Sequence, residues 1–365
     1  MITTALFPNR YIQGFNAIEN CLGQELARLG KKALLLESPS AHKNLSSVIE
    51  KSLAGNIGFA IDVFNRECSD EEIARIITLV KAEHIDVIVG IGGGKAIDTA
   101  KAVAAELNYP CVVVPTLAST DAPCSALSVI YTPTGEFKRY FVLPRNPDLV
   151  LVDSNVIAKA PARFLVAGMG DALATWFEAE DCRQSKAGNM TGRPGPISAF
   201  ALAEFCFDVL LKYGVQAKNA CEQKIVTPAL EHVIEANTLL SGLGFESGGL
   251  SAAHSIHNGF TALEATHDYW HGEKVAIGTL AMLMLIDSDP NMIETVYAFC
   301  ESVGLPTTLA EIGLTNVSDE DLMKVAILAC AESESIHNSL AEINPNTVFA
   351  AIKAANAEGL RRKKL

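Results

Sequence analysis

No two of the nine cysteines form a C-x-x-C pair; they are scattered at 21, 68, 111, 124, 182, 206, 221, 300 and 330. An odd, unpaired set argues against a disulfide framework and a cysteine zinc site, and for free thiols in a reducing, cytoplasmic setting. Positive charge is also scarce. Lys and Arg total 29 against 42 Asp and Glu, a net charge of −13. The basic footprint that binds nucleic acid or anionic membranes is missing, so neither is expected as a partner. The one basic run, Arg361 to Lys364, reads as a solvated tail. No apolar stretch reaches the roughly 20 residues that span a bilayer. The longest, Val275 to Ile286, includes Gly278 and Thr279 and reads as a buried helix. The opening MITTALFPNRYIQG has neither the charged start nor the apolar centre of a secretory signal. Charged residues make up only 19% and apolar ones 49% of 365, enough for a large core and against disorder. At about 150 residues per domain, two domains are expected.

What is present changes character near residue 160. Before it, short β-rich runs alternate with helical stretches. Ala33–Leu36, Asp86–Val89, Cys111–Val114 and Leu149–Val152 read as strands. Ser69-Asp70-Glu71-Glu72 reads as a capping box that opens a helix, and 95–107 as another helix. Two β-like runs around Thr132-Pro133-Thr134-Gly135 read as a hairpin. The alternation predicts a parallel sheet with crossover helices. After Pro161 only Ala- and Leu-rich helical segments remain: 162–181, 197–213, 219–241, 248–263, 271–287, 289–303, 318–332 and 346–358. The expected architecture is an α/β N-terminal domain over 1–160 and an all-α C-terminal domain over 161–365.

Gly90-Ile91-Gly92-Gly93-Gly94-Lys95 follows a strand and opens a helix. Glycines there let a phosphate approach the backbone, and free N–H groups at a helix start attract anions. Two standard fingerprints do not fit. Val89 stands where Walker A needs glycine and Ala96 where it needs Ser or Thr; Lys95 stands where the Rossmann pattern needs Gly or Ala. An acid, Glu37, ends an earlier strand, where a carboxylate could bind a ribose diol and repel a 2′-phosphate. The loop from Pro115 to Leu127 follows another strand and carries hydroxyls at Thr116, Ser119 and Ser125, able to meet phosphate or amide groups or to bond their own backbone.

Four of the eight histidines lie between 254 and 271. His254 and His257 are spaced to share a helix face, and His267 and His271 follow across a loop containing Asp268. Clustered imidazoles with carboxylates form a zinc or iron(II) pattern, but the spacing does not say which of them bind. Asp171, in Gly168-Met169-Gly170-Asp171, is a candidate third ligand; its other reading is an N-cap at a helix start.

The stretches IGGGKAIDTAKA, VVPTLASTDAPCSALSVIY, GMGDALATWFEA, TPALEHVIEANTLLSGLGFESGGLSAAHSIHNG and HGEKVAIGTL, spread over residues 8–340, are together far narrower than a glycine loop. With them the chain resembles the glycerol dehydrogenase branch of the iron-containing alcohol dehydrogenase superfamily. The resemblance implies a dinucleotide-binding α/β domain, a helical domain and an active site in the cleft between them. It implies NAD contacts at Glu37, Gly94, Lys95, Thr116, Ser119, Ser125, Leu127 and Tyr131. It implies a metal held by the catalytic residues Asp171, His254 and His271, with zinc usual and iron(II) the alternative, and Asp121 in substrate binding. His257 and His267 then fall outside the ligand set. The implied reaction is reversible oxidation of glycerol, or another small vicinal diol, by NAD⁺; an iron-dependent alcohol or diol dehydrogenase is the alternative. Relatives form large homo-oligomers, so one is expected here, an octamer included. Ser339 to Pro345 departs from the family pattern but touches no inferred ligand.

Overall fold

The computed structural model describes residues 2–364. The first part alternates strand and helix: β1 (Tyr11–Gly14), α1 (Gly23–Leu26), β2 (Lys32–Glu37), α2 (Pro39–Leu53), β3 (Gly58–Val63), α3 (Asp70–Ala82), β4 (Val87–Gly92), α4 (Gly94–Leu107), β5 (Cys111–Pro115), β6 (Leu127–Tyr131), β7 (Phe137–Val142), β8 (Leu149–Asp153) and α5 (Ser154–Lys159). Helices follow: α6 (Ala162–Ser185), α7 (Ile197–Glu222), α8 (Pro228–Glu235), α9 (Ser241–Gly248), α10 (Ala252–Phe260), α11 (His271–Leu285), α12 (Pro290–Val303), α13 (Asp319–Ala329) and α14 (Pro345–Arg362).

Six strands form one parallel sheet in the order β1-β8-β5-β4-β2-β3, while β6 and β7 pair separately as the antiparallel hairpin. The runs read as strands are its centre. β4, β5 and β8 are buried at every position, as parallel strands covered on both faces must be. Alternation sorts their side chains into two cores. Leu35, Val89, Val112 and Leu151 pack with Ile18, Leu22, Ile49 and Leu53 on one face. Leu34, Leu36, Ile88, Val113 and Val150 face the other way, into an apolar cluster continuous with α6, α10 and α11. The sheet and the helical part therefore share one core.

The edge strands β1 and β3 escaped the sequence reading. β1 has four residues, and both edges are only partly covered, so neither gives a clean apolar run. The capping box is half made. Ser69 Oγ accepts from Glu72 N at 3.2 Å, but the Glu72 carboxylate turns to Asn65 N (3.0 Å) and Arg75 (2.8 Å). The helix expected over 219–241 is interrupted after Glu222. Thr227 caps a new helix, accepting from Leu230 N at 3.3 Å, and Pro228 takes its first position, where a missing N–H costs nothing. A π-helical turn over Ala236–Leu240 then joins α8 to α9. Among the described residues no helix is long and apolar enough to cross a membrane.

Candidate functional site

The strand order reverses between β2 and β4: from β2 the chain moves outward to β3, then returns to lay β4 on the other side of β2. Such a switch opens a crevice at the carboxyl ends of the strands. Glu37 is in register with Ile91, and Gly92 with Pro115, so the end of β2, the glycine turn and the loop after β5 lie side by side there. The glycines serve different ends. A Cβ on Gly90 would come 2.6 Å from Ala100 Cβ, so this glycine lets α4 pack against β4. At exposed Gly94 a Cβ would meet nothing within 4 Å, which leaves room for a ligand. Gly93 caps α4 without a side chain, so the first N–H groups of the helix stay available to an anion.

The other expected cofactor residues fall into two groups. Thr116 and Ser119 are half-buried on the loop after β5, and Thr116 N donates to Gly92 O at 3.0 Å. Lys95 Nζ lies 2.6 Å from Glu67 Oε2 and 4.7 Å from the centre of the Tyr131 ring. Leu127 and Tyr131 bound β6, half-buried. Of these, Thr116 bonds the turn, and Lys95, next to Gly94, carries Tyr131 to it. Glu37 and Ser125 instead point inward. The Glu37 side chain is fully buried, its Oε2 bonded by His42 Nδ1 (2.8 Å) and Ser46 Oγ (2.6 Å), while Oε1 is buried without a partner. Ser125 is 1% exposed, and its hydroxyl donates to Ala122 O at 3.1 Å. Either would have to change rotamer to touch a ligand.

A buried lysine, absent from the sequence reading, holds this loop. Lys101 is 2% exposed and sits two turns beyond Gly94 on α4. It donates to Ala122 O (3.0 Å), Ser125 O (3.3 Å) and Leu127 O, and pairs with Asp98 at 3.1 Å. Burial pushes the Asp98 carboxyl up, with Lys101 opposing.

On the helical side of the cleft, Asp171, His254 and His271 converge, with one possible ligand atom from each within 4.8 Å of the others. Asp171 lies in the interior of α6, not at its start, so it is no N-cap. The glycines before it explain its neighbours. A Cβ on Gly168 would come 2.0 Å from Ala118 O, and one on Gly170 2.3 Å from Gly272 O. Only glycine lets the loop after β5 and the start of α11 close on this turn of α6. Asp121 N, on that loop, donates to Asp171 Oδ2 at 3.2 Å, and Asp121 Oδ2 accepts from Ser241 Oγ at 2.8 Å.

The contacts of Asp171 test whether a cation fits. Its Oδ1 is 3.3 Å from His254 Nε2 and 3.1 Å from His271 Nε2, yet it is buried with no hydrogen-bond partner. His254 Nδ1 is 2.6 Å from Glu178 Oε2. An ionised carboxylate only accepts, so in neutral His254 the hydrogen sits on Nδ1 and Nε2 turns a lone pair toward the Asp171 oxygen. Two facing acceptors require positive charge between them, so one carboxylate and two imidazoles suit a divalent ion. The electrostatics agree. Burial alone would raise the Asp171 carboxyl, but the His271 and His254 imidazoles hold it well below the ordinary range. Burial would lower His254, but Glu178 and Asp171 hold it well above its ordinary value. Burial and then the Asp171 charge push Asp121 up.

The two remaining histidines of the cluster add no ligand atom to the group of three. His257 packs its ring 4.2 Å from that of His271 and bonds Asn258 Oδ1 at 3.1 Å; burial, then His271 and Lys274, push its pKa well down. His267 is exposed and bonds Thr261 O at 2.9 Å. Glu178 had a readable signal, since it follows Asp171 by two turns on the same face of α6. Ser241 had none, nor had the loop carbonyls that Lys101 holds, because these partners are distant in sequence.

Residues 8–154 fit the family model of the iron-containing alcohol dehydrogenases. The chain is 62% identical to a glycerol dehydrogenase of Thermotoga maritima over 365 residues, the whole of both chains. A solved structure of a probable glycerol dehydrogenase from Sinorhizobium meliloti superposes with a TM-score of 0.93 at 46% identity, covering 99% of this chain and 100% of the other. That of glycerol dehydrogenase from Schizosaccharomyces pombe gives 0.94 at 38%, covering 100% and 92%. Full-length identity of this order, on a parallel sheet and helical part that bring one carboxylate and two imidazoles together, means that the chain belongs to the glycerol dehydrogenases of the iron-containing alcohol dehydrogenase family.

Proposed function

We propose that the chain is an oxidoreductase that converts glycerol to dihydroxyacetone reversibly with NAD⁺, and that it accepts other small vicinal diols. The observation that carries this reading is the convergence of Asp171, His254 and His271 beside Asp121. A divalent ion held by those three residues, zinc by preference and iron(II) as the alternative, would make a bound hydroxyl acidic near neutral pH. NAD⁺ bound in the crevice would accept the hydride. The chain itself supplies placement. The α4 N-terminus and Lys95 hold the dinucleotide phosphates, and Thr116, Ser119, Leu127, Tyr131 and, after a change of rotamer, Ser125 border it. Glu37 takes the ribose diol once its side chain turns from His42 and Ser46. Asp121 accepts a hydrogen bond from a second substrate hydroxyl, which favours diols over simple alcohols. Holding donor and acceptor together supplies much of the rate.

In this reading, residues 1–160 carry the cofactor and 161–365 the metal chemistry. The enzyme works as a homo-oligomer, with an octamer included, in the cytoplasm; the nine unpaired thiols agree with a reducing compartment. The test is NADH formation over glycerol, propanediols, butanediols and simple alcohols, with metal analysis of the same sample. Turnover of glycerol ahead of the mono-alcohols is expected. Absence of NADH formation with every diol sinks the reading.

A further inference from the structure

The buried carboxylate of Glu178 has two sets of donors. Its Oε1 accepts from the backbone N–H groups of Ser251 (2.9 Å) and His254 (3.0 Å). Both belong to the start of α10, whose own N-cap Ser251 makes no side-chain capping bond, so a residue of α6 satisfies amides that the helix leaves open. With Oε1 committed, Oε2 is left for His254 Nδ1 at 2.6 Å. We propose that Glu178 is a positioning residue: it selects the Nδ1–H tautomer of His254 and so keeps Nε2 bare toward Asp171 and open to a metal ion. This rests on the metal site read above.

The proposal separates two roles that geometry alone leaves joined. In Glu178→Gln the shape is kept, but only one oxygen remains. The two backbone donors cannot move, so they take the oxygen, and the amide NH₂ faces Nδ1. A donor at that point stabilises the opposite tautomer, with hydrogen on Nε2. That hydrogen takes Nε2 away as a ligand on the side of Asp171 Oδ1, 3.3 Å off. The metal-free E178Q chain should therefore melt no lower than the unmodified chain, while its zinc affinity falls by about 10- to 100-fold, as when an outer partner of a ligating histidine is lost. If Glu178 only capped α10, the Gln oxygen would keep that cap, and melting and zinc affinity would both stay as they are.

The experiment is zinc competition against a chromophoric chelator on the full-length chain, unmodified and E178Q, with melting curves of both metal-free proteins. A tenfold or larger loss of zinc affinity with melting retained supports the tautomer role. Zinc affinity of E178Q within twofold of the unmodified chain overturns it. Should E178Q fail to fold, E178D decides. It keeps an acceptor-only carboxylate, so zinc affinity within about tenfold of the unmodified chain supports the role, and a loss as deep as that of His254→Ala overturns it. If the unmodified chain binds neither zinc nor iron(II), the metal site itself falls, a result distinct from either variant's.

Discussion

At the scale of single residues, the site depends on which imidazoles Asp171 meets. His254 and His257 share a face of α10, yet only the first has Asp171 and Glu178 at its two nitrogens. His254→Ala and His271→Ala should each lose the metal, because two donors are too few for tight binding, while His257→Ala should keep it. Elemental analysis per chain decides. Both metal-free variants should still bind NADH, since every proposed cofactor contact lies before residue 132. Asp121 gives a second prediction. Removing a buried hydrogen-bond partner costs about 1–3 kcal/mol. Asp121→Ala should therefore lower kcat/KM for glycerol more than for a mono-alcohol, and equal losses on both would remove its assignment to the second hydroxyl.

Between elements, glycine sets the spacing. α6 approaches the loop after β5 so closely that Ala118 O occupies the space a Cβ on Gly168 would need. Asn237, in the π-helical turn, ties the same contact by donating to Ala118 O and Leu165 O, both at 3.0 Å. Gly168→Ala must push the loop and its Asp121 away from Asp171. Overpacking of this kind costs about 1–3 kcal/mol. A lower urea midpoint is the expected outcome, with a rise in KM for glycerol; an unchanged midpoint would mean that the loop yields freely.

Across the whole molecule, the two parts are joined by a common apolar core and by the loop from Pro115 to Leu127. That loop is held from the sheet side by Lys101 and from the helical side by Asp171, Ser241, Asn237 and Glu246, whose Oε1 accepts from Ala126 N at 2.6 Å. The crevice and the metal group are thus tied to one short segment. Lys101→Met would leave the buried Asp98 without its cation, with only the Val129 N–H at 3.0 Å, and would strip carbonyls of their donor. Breaking a buried pair from one side costs about 3–5 kcal/mol. Chemical denaturation should show a loss of that size, whereas a change under 1 kcal/mol would show that water replaces the lysine.

Pattern and composition by themselves determined the central strands, the hairpin, most helices and the region of the site. Apolar runs, periodicity and a glycine turn act over a few residues, where local sterics and burial decide the outcome. The edge strands and the break after Glu222 were less legible, because partial exposure blurs the period and a cap competes with continuation. Tertiary structure decided the rest. It placed Asp171 within a helix, separated His254 from His257, turned Glu37 and Ser125 inward, and brought Glu178 and Lys101 into the site. Each of these depends on which backbone lies against which, through close contacts such as Gly168 on Ala118, and residues far apart in the chain meet only when the packed core fixes the distance between them.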